Sequence, residues 1–173
     1  MILKFRVISD EIETFLRVIE ISETDTFESL HNILKQSCEF DDSQMASFNI
    51  SNSDWEKLDE ICMFDMGDEE SPSMIMNETI IGNNISNVDD TLIYNFDFFG
   101  DRALYLTLTE IKEPEGVIKY PICSHKVGDA PEIMPSTEDE FDDIYEDFED
   151  EYDEDFDAFD SGEFEEFNED SIY

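Results

Sequence analysis

His31, His125, Cys38, Cys62 and Cys123 are the side chains of this 173-residue sequence best suited to nucleophilic or proton-transfer chemistry near neutral pH, and they sit among 48 carboxylates. A histidine becomes a base when a neighbour orients it against a nucleophile. Cys123 lies two residues from His125 and is the one pairing of that kind, but no Ser or Cys nucleophile signature accompanies it. A plainer role for both histidines in the ordered domain is preferred, and no catalytic residue is assigned. The cysteines are odd in number and far apart, with no CxxC spacing and no Cys/His cluster. They are expected to be free, buried thiols without structural zinc.

Phosphate-cradling and zincin patterns (GxxxxGK[ST], GxGxxG, HExxH) are absent from the sequence. Asp153-x-Asp155-x-Asp157 opens like a calcium loop, but such a loop needs Gly at its sixth position and Glu at its twelfth. Ala158 and Phe164 stand there. Adjacent carboxylates are too many to be informative, with two exceptions: Asp97 and Asp101 flank a Phe98-Phe99-Gly100 turn. Capping the turn's amides is the expected duty of that pair. No metal and no cofactor is expected.

These groups must be positioned by elements that the apolar pattern outlines. Residues 2–8 and 15–21 alternate as two strands, with Phe15, Arg17, Ile19 and Ile21 on one side of the second. Thr24-Asp25-Thr26 followed by Glu28 reads as a helix start. Phe27, Leu30, Ile33, Leu34 and Cys38 then recur at helical spacing, so one face of this helix should pack on a sheet. Strands are expected at 45–50, 58–66, 91–98 and 103–111, the last two as a hairpin about Gly100-Asp101. Residues 67–74 read as a loop. A connector over 79–88 should bury Ile80, Ile81, Ile85 and Val88, and residues 114–135 read as irregular. The order implies an α+β domain: a mixed or antiparallel sheet with one main helix on one face, in a β-grasp-like arrangement. Phe5, Val7, Leu30, Ile33, Leu34, Phe48, Tyr94, Phe96, Leu106 and Leu108 should form its core.

Charge divides the chain. All nine Lys and Arg lie at or before Lys126, while residues 138–173 hold 20 acids and no base. Residues 1–137 therefore carry 28 acids against nine bases, a net −19 of the total −39. The expected organisation is a domain over 1–136 and an acidic, aromatic tail over 137–173. In that tail Phe141, Tyr145, Phe148, Tyr152, Phe156 and Phe159 are spaced four, three, four, four and three apart, a helical stripe among carboxylates. It reads as a solvated, disordered segment in isolation, or as an amphipathic helix on a basic, apolar partner surface.

The run Asp25-Thr-Phe-Glu-Ser-Leu-His-Asn-Ile-Leu-Lys-Gln and the following Phe40-Asp-Asp-Ser-Gln-Met-Ala-Ser-Phe-Asn-Ile resemble the opening helix and third strand of the Ri-plasmid ORF-3-like domain family. That family is known among insertion-element passenger proteins of the TnpR type. Leu92-Ile-Tyr-Asn-Phe-Asp-Phe-Phe-Gly-Asp, Tyr120-Pro-Ile-Cys and Gly128-Asp-Ala-Pro resemble later family motifs in the same order, over residues 2–135. The family usually has Trp at the position of Phe40, His at that of Gln44, and Trp-His at those of Arg102-Ala103. Its closing Glu-Asp-Cys-Gly-Gly is absent here. The resemblance implies a fold, and no activity.

The functional expectation is a non-catalytic interaction module whose tail residues Phe141, Tyr145, Phe148, Tyr152, Phe156 and Phe159 contact a basic protein partner. A nucleic-acid mimic or mobile-element accessory protein is the alternative. As a helix of ~1.5 Å rise, the 36 tail residues would present one carboxylate per ~2.7 Å, against one charge per ~1.7 Å in duplex DNA. An enzyme using the Gly100-Asp101 turn and the closing loop is the second alternative. Direct binding to nucleic acid or anionic lipid would need a basic footprint and is not expected. No apolar run approaches a membrane span, and the N-terminal ten residues lack a signal-peptide core, so the chain reads as cytoplasmic.

Overall fold

A computed structural model describes residues 1–40, 45–65, 74–97 and 100–132. Within them the chain forms β1 (Ile2–Ser9), β2 (Leu16–Ser22), α1 (Phe27–Cys38), β3 (Ser47–Ser51) and β4 (Lys57–Cys62). It continues as β5 (Met74–Ile75), a 3₁₀ turn (Ile81–Asn83), β6 (Thr91–Asp97), β7 (Arg102–Lys112) and β8 (Ile122–Val127). The strands make one eight-stranded sheet in the order β5-β4-β3-β6-β7-β1-β2-β8. Every neighbouring pair is antiparallel except β4 with β5. The fold is α+β. The opening hairpin and helix of the β-grasp-like expectation are present, within a larger sheet in which β1 also pairs with β7, antiparallel.

Helix α1 begins where the sequence marks it. The Thr26 side chain accepts from the Ser29 amide at 3.3 Å, and Glu28 lies in the positive first turn. Two further N-terminal amides are taken by the connector, from Phe27 to the Thr79 carbonyl and from Glu28 to that of Met76. Gly82 permits this close approach, since a Cβ there would lie 2.7 Å from the Glu23 carbonyl oxygen. The helix stops at Glu39, whose left-handed φ of 63° turns the chain.

All ten residues expected in the core are buried, including Leu30, Leu34, Phe5 and Phe48 at zero exposure. Phe27 meets Phe48 edge-on, with ring centroids 5.3 Å apart. Period 2 from the strands and period 3.6 from the helix thus converge on one layer.

Four expectations need correction. Residues 122–127, read as irregular, form edge strand β8 on β2. A register shift near Ser124 breaks its alternation, and an exposed edge does not need apolar residues. Met74 belongs to β5 rather than to the preceding loop. Val88, expected to be buried, is exposed: the Asp90 carboxylate accepts from the amides of Ser86 and Asn87 and folds that stretch outward. Ile80 is half-buried, as are Cys62 and Cys123; only Cys38 is a buried thiol. The boundary expected at 136/137 lies outside the described residues.

Candidate functional site

Phe40, Asp97, Gly100, Asp101 and Arg102, which the sequence motifs single out, converge on one corner of the domain. Phe40 follows α1 and stacks on Phe96 of β6, ring centroids 4.9 Å apart. The other side of this aromatic pair meets Arg102, whose guanidinium carbon is 5.2 Å from the Phe96 centroid. Nε and Nη2 of Arg102 donate to the two oxygens of Glu11 at 2.8 and 2.6 Å. Nη1 donates to the Glu132 carbonyl at 2.7 Å and lies 3.7 Å from Asp97. The hydrogen bonds to Glu11, outweighing burial, raise the Arg102 pKa further above its already high value.

Each nitrogen of that guanidinium is occupied by the protein itself. The corner is therefore a fastener, joining the β6–β7 turn, the loop after β1 and the closing segment. Asp97 Oδ1 accepts from the Gly100 amide at 2.9 Å, the turn-capping duty expected of it. Asp101 is 94% exposed, sits at φ 50°, and among the described residues pairs with Lys57 at 3.8 Å. The structure thus separates the two carboxylates: one caps a turn, the other stands in solvent.

The other groups with chemical potential are also in structural use. His31 and Tyr94 bond each other across the helix–sheet interface, hydroxyl to Nδ1 at 2.9 Å. Burial raises the Tyr94 pKa well above that of a free phenol. Burial likewise holds the Cys38 thiol up at about 11, which keeps it protonated and unreactive at neutral pH. The Cys62 thiol is raised too, by burial and then by Glu60. The Cys123 thiol donates to the main-chain carbonyl of His125 at 3.3 Å, so the sequence pairing is realised through the backbone. Among the described residues no group of three or more His, Cys, Asp or Glu could hold a metal ion.

Arg17 was not singled out by motif, although its place between Phe15 and Ile19 on the apolar side of β2 was visible. It is 1% exposed. Nε donates to the Ser37 carbonyl at 3.1 Å, where the negative end of the α1 dipole favours a cation. Nη1 donates to the carbonyls of Leu16, Val127 and Gly128, and the Phe15 ring lies 4.4 Å from its carbon. Gly128 can present its carbonyl this way because its φ is +67° and a Cβ would meet the Thr14 oxygen at 2.7 Å. Arg17 ties the helix end to the closing strand. Phe141, Tyr145, Phe148, Tyr152, Phe156 and Phe159 lie outside the described residues, as do Gln44 and the Asp153–Asp157 run.

The sequence matches the family model described as plasmid pRiA4b ORF-3-like protein over residues 2–172. The structure is similar to the crystal structure of a protein of unknown function from Methanosarcina mazei Go1, with a TM-score of 0.61. The two are 21% identical over 72% of this chain and 68% of that one, a likeness of fold. No curated protein matches the sequence. No helix among the described residues is long and apolar enough to cross a membrane.

Proposed function

The chain belongs to the plasmid pRiA4b ORF-3-like protein family, and within it we propose that this protein is a non-catalytic interaction module whose acidic C-terminal segment contacts a basic protein partner. The observation that carries the reading is the segment itself: 20 carboxylates without a base over residues 138–173, interleaved with Phe and Tyr at helical spacing. Carboxylates supply long-range attraction and register, and aromatics supply the contact area that makes a surface specific. The engagement of Arg102, Asp97, His31 and Cys123 in the scaffold supports a binding role over a chemical one.

A mobile-element accessory protein stands as an alternative to this reading, beside the nucleic-acid mimic. A nucleic-acid mimic is the second reading, favoured by the carboxylate density the segment would have as a helix.

Fluorescent peptides titrated with the full chain test the proposal. One is amphipathic, with Lys flanking a Leu stripe; the other is oligolysine. Both should bind, and both should weaken with salt. Phe148→Ala combined with Tyr152→Ala should weaken only the amphipathic peptide. Absence of binding at low salt would overturn the reading. Competition by duplex DNA for a basic DNA-binding protein tests the mimic.

A further inference from the structure

The sheet face turned away from α1 carries a pattern that the core does not use. Register pairs align residues of successive strands into rows across a sheet. One row on this face runs through Ile93, Tyr105, Ile8, Leu16 and Val127, crossing β6, β7, β1, β2 and β8. Ile93 is buried, Tyr105, Ile8 and Leu16 are half-buried, and Val127 is 43% exposed. Trp55 packs edge-on against Tyr105 at 5.0 Å between centroids. With strands ~4.8 Å apart, the row from Tyr105 to Val127 spans ~14 Å.

The next row lies two residues further along each strand. It runs from Lys57 on β4 through the hydroxyls of Ser51, Thr91 and Thr107 to Arg6 on β1, and on across Val18 of β2 to His125 on β8. This row holds no carboxylate, within a segment 1–137 that carries 28 acids against nine bases. Arg6 is exposed and makes no ion pair among the described residues. Lys57 is 50% exposed; its ammonium donates to Asn95 Oδ1 at 3.3 Å and lies 3.8 Å from Asp101.

We infer that this face docks an amphipathic helix of a partner protein, one with carboxylates along the flank of its apolar stripe. The two rows are ~7 Å apart. That offset is close to the ~5–6 Å radius of a helix with its side chains, the distance from a stripe to its flank. A helix seated on the apolar row would set its acidic flank over Arg6 and His125. It would cover this side of the sheet as α1 covers the other, completing a layered arrangement. Charge complementarity selects an acidic occupant, since Arg6 is an exposed cation with no ion pair among the described residues. The inference is independent of the acidic-segment reading, which concerns another part of the chain and a partner of opposite charge.

Trp55 is the only tryptophan, so its emission reports on this face. Two Trp-free synthetic helices serve as probes, one with a Leu stripe flanked by Glu and one with Lys in place of Glu. Titrated into the full chain, the Glu peptide should saturably shift Trp55 emission to the blue. Arg6→Glu, at an exposed position that leaves the fold intact, should weaken this several-fold, because a modest attraction becomes repulsion. Leu16→Asp should abolish it. The Lys peptide should bind as seen by its own anisotropy while leaving Trp55 emission unmoved, so the two readings fail in different signals. No blue shift with the Glu peptide, or undiminished binding by a folded Arg6→Glu chain, would overturn the inference. So would self-association of the full chain that Arg6→Glu abolishes, since a second copy would then occupy the face.

Discussion

The Tyr94 hydroxyl meets Nδ1 of His31 at 2.9 Å with both side chains buried between α1 and the sheet. Apolar contacts tolerate sliding, whereas a hydrogen bond between buried groups is directional and costly to break. The pair therefore fixes how far along β6 the helix sits. Tyr94→Phe keeps the ring and removes only the hydroxyl, so it should cost ~1–3 kcal/mol. Urea unfolding measures this, and an unchanged midpoint would mean the bond contributes nothing to the register.

Leu30 lies at the centre of the helix face with zero exposure, in one cluster with Phe5, Phe48 and Leu106. Leu30→Ala should cost ~2–5 kcal/mol, the range for a buried Leu whose cavity collapses only partly. A loss near zero in chemical denaturation would contradict the packing of α1 described above.

Stability should fall on the alkaline side. The Cys38 thiol titrates at about 11 in the folded chain, against 9.0 for the exposed group. Between those values the unfolded chain releases the proton that the folded chain keeps, so folding loses ~2–3 kcal/mol as pH rises. Tyr94, also raised by burial, adds in the same direction above the ordinary phenol value. Cys38→Ala should flatten the decline between pH 9 and 10 in denaturation curves. An identical slope would assign the decline to other groups.

Arg17 holds the carbonyls of Ser37, Val127 and Gly128. A lysine cannot reproduce that fork, because its ammonium is a single point of donation. Arg17→Lys should destabilise the domain by ~2 kcal/mol or more and speed amide exchange along β8 ahead of β1 and β7. Uniform acceleration across the sheet would show that the side chain does not specifically secure β8.

A peptide of residues 138–173 should gain helicity as pH falls toward the carboxyl pKa values of ~4. Ten of its 20 acids are Asp, a poor helix former, and mutual repulsion opposes the helix until those charges are neutralised. Circular dichroism across pH tests this. A peptide that stays coil at pH 4 would reduce its aromatic spacing to coincidence.

The buried alternation of Phe5 and Val7 was legible, as were the helical recurrence from Phe27 to Cys38 and the Thr26 cap. Each is a local periodicity of apolar groups against solvent. The turn-capping role of Asp97 was legible for the same reason, since the Gly100 amide is three residues away. Edge strand β8 was not. Its residues alternate imperfectly around the shift near Ser124, and nothing nearby in sequence says that Leu16 and Val18 wait for Val127 and His125.

The sequence by itself determined which faces of β1, β2, α1, β3, β6 and β7 turn to the core and that charge is divided between a mixed segment and a purely acidic one. Composition and spacing encode those properties residue by residue. Only the tertiary structure decided that Arg102 would spend its whole guanidinium on Glu11, Glu132 and Asp97, and that Arg17 would be a buried clasp. It alone aligned Ile8, Leu16, Tyr105 and Val127 into one row. Those relationships join residues up to 111 positions apart. They arise from strand order and register, which are set by the simultaneous packing of all elements.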